Sequence, residues 1–129
     1  MASREFDLGK GELEVLRALW EVGPANVRAV LNEMHRRGRR VAYTTVQTVL
    51  GRLEQKGVVA SDKSGLAYVY RAKVSRERLS RSRLKSLVDQ LYDGAVGDLV
   101  LQLVRSKRLT SDELDELQKL IDRLDTDRD

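Results

Sequence analysis

Ala42-Tyr43-Thr44-Thr45-Val46-Gln47-Thr48-Val49-Leu50-Gly51-Arg52-Leu53 carries two patterns at once. Val46, Val49, Leu50 and Leu53 recur three and four residues apart, the spacing of one apolar helix face, and Gly57 stands where a helix commonly ends on a left-handed residue. With Val46, Leu50 and Leu53 turned inward, the opposite face carries Thr44, Gln47, Thr48, Gly51, Arg52 and Gln55, none of them acidic. Gln can make a bidentate contact to adenine, Thr can donate, accept or touch a thymine methyl, and a carboxylate would repel phosphate. This is the chemistry of a helix lying in a DNA major groove. An ordinary solvated face would favour Glu and Lys and would leave Gly51 costing about 1 kcal/mol for no return. Close approach of the helix backbone to DNA accounts for that glycine.

Upstream, Leu13, Leu16, Leu19 and Trp20 predict a first helix from about Gly9 to Val22, stopped by Gly23-Pro24. Asn26 is a plausible N-cap for a second helix through Val27, Val30, Leu31 and Met34. Downstream, the period changes to two. Val58-Val59-Ala60 predicts a strand, Asp62-Lys63-Ser64-Gly65 a turn, and Leu66 to Tyr70 a second strand with Leu66, Tyr68 and Tyr70 alternating onto one face. From Ser75 the pattern is helical again, first through Leu84, Leu87, Val88 and Leu91. A helix from Asp98 to about Lys107 follows, apolar on nearly every side through Leu99, Val100, Leu101, Leu103 and Val104, and in need of cover from more than one direction. Thr110-Ser111-Asp112-Glu113 reads as a capping box flanked by Leu109 and Leu114, opening a last helix with a Leu114, Leu117, Ile121, Leu124 seam.

Composition narrows the function. The chain has 129 residues, no Cys and one His. Disulfides, zinc-finger ligand sets and thiolate nucleophiles are excluded, and His-based acid/base or metal chemistry lacks parts, so the chain is read as a non-enzyme without a cofactor or metal site. Nothing behind Met1-Ala2-Ser3 forms an apolar leader, and Leu99-Val100-Leu101 is too short to cross a bilayer, which predicts a cytoplasmic protein. The net charge of +4 hides an asymmetry: residues 1–83 hold 17 Lys/Arg against 9 Asp/Glu, and residues 84–129 hold 7 against 11. The front of the chain suits a polyanion and the tail does not. Phosphate-contacting candidates are Arg28, the Arg36-Arg37-Arg39-Arg40 cluster, Arg52, Lys56 and Lys63 at the hairpin tip. Trp20 is read as core, Tyr68 and Tyr70 as packing the hairpin onto the helices, and His35 as a solvent-facing helix end.

Three helices, a hairpin and a helical tail predict a mainly α chain. A winged helix-turn-helix DNA-binding domain over 1–74 is followed by a helical dimerisation domain over 75–129. Glu14-Val15-Leu16 with Leu19-Trp20, the segment from Ala42 to Leu53, Lys56-Gly57 and Gly65-Leu66-Ala67-Tyr68-Val69-Tyr70 together resemble the BlaI/MecI/CopY family of penicillinase-repressor-type regulators. The resemblance extends over residues 7 to 124. It implies a homodimer that binds a dyad-symmetric operator and blocks transcription, with Thr44, Thr45, Gln47 and Thr48 at base-reading positions and Arg52 at a backbone-contact position. In well-known members a membrane sensor triggers cleavage of the tail between Asn and Phe. The matching positions here are Gln102 and Leu103, a departure from that pair. A copper-sensing branch uses C-terminal cysteines, which this chain lacks.

The resulting expectation is a repressor dimer pairing through Leu99, Val100, Leu103, Leu114, Leu117, Ile121 and Leu124, with recognition helices about 34 Å apart on operator DNA. The rival reading is a winged-helix protein-interaction module whose basic face docks an acidic partner. A small-molecule regulator ranks below it, because no polar cluster interrupts the tail's apolar positions.

Overall fold

The helical spacing of the first sixty residues becomes three helices in the computed structural model, which describes residues 7–106 and 108–127. They are α1 (Lys10–Val22), α2 (Val27–Arg36) and α3 (Tyr43–Gln55), followed by β1 (Val59–Asp62), β2 (Val69–Ala72), α4 (Arg76–Tyr92), α5 (Val96–Arg105) and α6 (Ser111–Asp127). Local chemistry sets the ends. The Glu12 carboxylate accepts from the Gly9 N–H in front of α1, and the Asn26 side chain accepts from Ala29 N–H at the start of α2. After α3, Gly57 adopts φ 80°, its N–H donates to the Glu54 carbonyl and the Val58 N–H to the Leu53 carbonyl. This pair of bonds closes the helix as a Schellman motif.

That closure moves the hairpin. Because Val58 N–H caps α3, the ladder starts one residue later than the sequence reading placed it, pairing Val59 with Ala72 through Asp62 with Val69, antiparallel. The second strand begins at Val69 rather than Leu66, and Leu66 stands fully exposed in the loop instead of sharing a face with Tyr70. Asp62 accepts from both the N–H and hydroxyl of Ser64, turning the chain immediately after β1. Ala25 exchanges two backbone hydrogen bonds with Tyr70, at 2.9 and 2.7 Å, so the link between α1 and α2 adds a one-residue third rung to the hairpin.

Two compact units divide the chain, one up to Leu84 and one from Lys85 on. The first holds the core: Leu16, Leu19, Val30, Val46, Leu50, Leu53, Val58 and Val59 are essentially inaccessible, and Leu79 from the first turn of α4 joins them. Trp20 lies half-buried at the core's edge rather than inside it, its Nε1 donating to the Val74 carbonyl. The second unit has the predicted capping box: Thr110 N–H donates to Glu113 Oε1 (2.9 Å) and Glu113 N–H to Thr110 Oγ1 (3.2 Å). Those bonds hold the Glu113 carboxyl below its ordinary value. α5 runs from Val96 to Arg105, two residues earlier than its predicted start, and neither α5 nor α6 buries a residue in the single chain.

Candidate nucleic-acid interface

Val46, Leu50 and Leu53 anchor α3 from its inner side, all fully buried. The helix therefore turns Thr44, Thr45, Gln47 and Thr48, the four base-reading candidates, to solvent together with Arg52. The one acid of α3, Glu54, is half-buried and accepts from the Ser61 hydroxyl of β1 at 2.6 Å, which keeps its charge off that surface. Gly51 lies in the same helix, and a Cβ built there meets no heavy atom within 4 Å. Nothing within the chain asks for a glycine at this point.

The phosphate candidates separate into three groups. Arg39 Nε reaches Glu14 Oε2 at 2.5 Å, and Lys56 Nζ reaches Glu12 Oε1 and the Asp7 carbonyl, each at 2.8 Å. Their charges are thus met by acids of α1, and they brace the frame around α3. Burial pushes the Glu12 carboxyl up, but the Lys56 and Gly9 hydrogen bonds and the Lys56 and Arg52 charges together hold it below its ordinary value. Arg28, Arg40, Arg52 and Lys63 are exposed and make no ion pair among the described residues. Two of these cations rest on aromatic faces: Arg28 lies 5.0 Å from the Tyr43 ring centroid and Lys63 5.4 Å from that of Tyr68.

Arg36, which is exposed, and Arg37, which is half-buried, are both paired to Glu33 of their own helix. Arg36 donates through Nε and Nη2 to both oxygens of Glu33, at 2.8 and 2.6 Å, and Arg37 Nε adds a third bond at 2.8 Å. Hydrogen bonds from Arg36 and Arg37 lower the Glu33 carboxyl from 4.5 to about 2. A carboxyl depressed by folding contributes stability that is fully present above its unfolded value and is lost as pH falls toward the folded one. The Glu33→Gln chain is therefore expected to melt below the unmodified chain at pH 7, with the gap closing as pH drops from about 4.5 toward 2. Thermal melts across that range check it; a gap independent of pH would remove the ion cluster as its source.

Sequence spacing put Glu33 three and four residues before Arg36 and Arg37, a legible helix pairing. The partners of Arg39 and Lys56 come from another helix and leave no local signal. Tyr43, absent from the predicted contact set, joins the surface because it opens α3 beside Arg28. Of the hairpin tyrosines, Tyr70 packs into the core as expected, and its hydroxyl pKa is raised by burial first and then by Glu54, Tyr68 and Tyr43. Tyr68 instead remains half-exposed. His35 is exposed, its Nε2 donating to the Val41 carbonyl across the α2–α3 turn at 3.0 Å.

In the second unit, Val100, Leu103, Leu114, Ile121 and Leu124 are exposed, while Leu99 and Leu117 are half-buried. Between α5 and α6 runs a groove of about 470 Å3 lined by Val100, Leu103, Val104, Leu109, Leu117 and Leu120, with acids of α6 at its margin.

Three helices, an antiparallel hairpin and a third helix whose outward face carries no acid define a winged helix-turn-helix protein of the DNA-binding class. The chain belongs to the penicillinase repressor family, whose model matches residues 8–123. It is 25% identical over 115 residues to the penicillinase repressor of Bacillus licheniformis, covering 89% of each chain. It is 24% identical over 123 residues to the methicillin resistance regulatory protein MecI of Mammaliicoccus sciuri, covering 95% of this chain and 99% of that one. Among solved structures it is similar to the DNA-binding domain of the repressor BlaI (28% identity, TM-score 0.49). It is also similar to monomeric Bacillus licheniformis BlaI in complex with the blaP half-operator (28%, TM-score 0.47). Each match covers 56% of this chain and 87% of the other. No helix of the described residues is long and apolar enough to cross a membrane.

Proposed function

We propose that the chain is a transcriptional repressor that binds a palindromic operator as a homodimer, reading bases with α3 and blocking access to the promoter. The observation that carries this reading is the exposed, acid-free face of Thr44, Thr45, Gln47, Thr48 and Arg52 on a helix whose other side is locked in the core. Family membership supports the repressor function. In this division of labour residues 1–74 bind DNA and residues 75–129 pair two copies, with Leu99, Val100, Leu103, Leu114, Leu117, Ile121 and Leu124 in the shared seam. Arg28, Arg40, Arg52 and Lys63 supply the main phosphate contacts, which set affinity and its salt dependence. Arg39 and Lys56 contribute less, because each already faces an acid of its own chain. The protein acts in the cytoplasm, where the operator is. Cleavage near Gln102 and Leu103 on α5 is the route by which a sensor protease would release it, since the cut would separate α6, with its share of the seam, from the DNA-binding part of the chain.

The test begins with a duplex selected from a random pool by the full chain, then footprinted. An inverted repeat with centres about one or two helical turns apart is expected. Thr48→Ala should flatten the preference at one base pair of each half-site by about fivefold to tenfold. Arg52→Ala should weaken selected and random duplex alike and make the salt dependence shallower by about one charge. Unchanged binding by both variants in a gel-shift titration would remove α3 as the reading helix.

A further inference from the structure

Beside α3 the first unit has a cleft of about 340 Å3 whose lining includes Asn26 and Arg28 of the α2 start, Tyr43 and Gln47 of α3, and Tyr68 and Tyr70 of the hairpin. Its composition is not that of a core defect. Tyr43 is 40% and Tyr68 48% exposed, and each carries a cation on its ring, Arg28 on one and Lys63 on the other. Gln47 belongs both to this lining and to the base-reading face, so the cleft opens alongside the groove-facing surface of α3.

We infer that this cleft seats the sugar–phosphate backbone of one DNA strand where it leaves the major groove, with Tyr43 and Tyr68 as further DNA-contacting residues. The inference rests on the DNA-binding reading of α3 and extends it to residues outside that helix's reading face. Three features select this occupant. The Arg28 guanidinium lines the cleft, and Lys63 sits on the ring of Tyr68, one of its walls, which suits an anion. Both are held over rings, so each guanidinium or ammonium is placed before DNA arrives and less side-chain freedom is lost on binding. Tyrosine presents a flat apolar face to deoxyribose and a hydroxyl that can donate to a phosphate oxygen, matching an amphipathic strand edge. Arg28 also stands in the first turn of α2, where the open N–H end of the helix adds to the positive potential. Backbone contacts of this kind position the protein without choosing sequence. The cleft therefore sets the register in which Gln47 and Thr48 meet their bases.

The experiment uses the full chain, the duplex it selects, and a random duplex of equal length. Tyr43→Ala and Tyr68→Ala should each lower affinity for both duplexes by about fivefold to tenfold and leave base preferences unchanged. Ethylation interference should lose one sensitive phosphate per recognition helix. Tyr43→Phe and Tyr68→Phe keep the cation seats and should fall between these variants and the unmodified chain. Both rings are half-exposed, and thermal melts should confirm unchanged folding. If the alanine variants bind both duplexes as the unmodified chain does while Arg52→Ala and Thr48→Ala remain impaired, the cleft is not occupied by DNA and the inference falls alone. If all four are silent, the reading of α3 falls with it. Loss of preference at one base pair would make the cleft a base pocket and overturn the backbone assignment.

Discussion

A chain carrying Leu117→Asp and Ile121→Asp is expected to run as a monomer by light scattering and to bind its selected duplex 10²–10⁴ times more weakly, with its first unit still folded. The expectation follows from what α5 and α6 leave uncovered. Neither buries a single residue within the chain, although Val100, Leu101, Leu103, Leu114, Leu120, Ile121 and Leu124 all lie on them. Apolar side chains exposed in this number over two helices mark a surface that another protein covers. A second copy meets the requirement, because the Leu114, Leu117, Ile121, Leu124 spacing is a self-complementary helix seam. Two carboxylates placed there would have to be buried without partners, a cost larger than the contacts around them can offset. The drop in DNA affinity is an avidity effect: once one recognition helix is seated, its linked partner binds at high effective concentration, and that multiplication vanishes in the monomer. Every residue of the buried core cluster, Leu79 included, lies within the first unit, and neither substituted position does, so a melt of the first unit should be unmoved. A persisting dimer would place the interface elsewhere; a monomer that retained full affinity would remove pairing from the mechanism.

Local chemistry made most of the architecture legible. Asn26, Gly57 and the Thr110–Glu113 box each act within four residues of themselves, and the structure has the helix ends they predict. The face of α3 was legible for the same reason: burial of Val46, Leu50 and Leu53 fixes by geometry which residues point away. The hairpin was read less well because its limits are set from outside. Val58 is taken by the end of α3, and Tyr70 is held by Ala25, 45 residues earlier in the chain. Charge was read least well. Counting Lys and Arg gives the sign of a region, but Glu14 and Glu12 reach Arg39 and Lys56 only after α1 packs against its neighbours. In the sequence Arg39 and Lys56 look no different from Arg28, Arg40, Arg52 and Lys63, which make no ion pair among the described residues.

Gly51→Ala is expected to move stability and DNA binding in opposite directions. Alanine is favoured over glycine inside a helix by about 1 kcal/mol, and here the added methyl meets nothing within 4 Å, so no contact in the chain opposes the gain. The folded state should therefore become more stable by about that amount, raising the thermal midpoint by a few degrees. Binding should weaken. Thr44, Gln47 and Thr48 are short or medium side chains, and they reach base edges only if the backbone of α3 approaches the groove closely. A methyl at Gly51 would push into that contact, and intrusion of one methyl into a packed interface costs about 1–3 kcal/mol. At about 1.4 kcal/mol per recognition helix the loss is tenfold, or about a hundredfold for two. Calorimetric melts and gel-shift titrations on the same preparation read both signs. A variant that is stabilised and binds DNA undiminished would show that α3 does not lie against DNA at Gly51, and the close-approach geometry would have to be abandoned. A variant that is destabilised would show that the helix interior requires glycine for a reason internal to the chain.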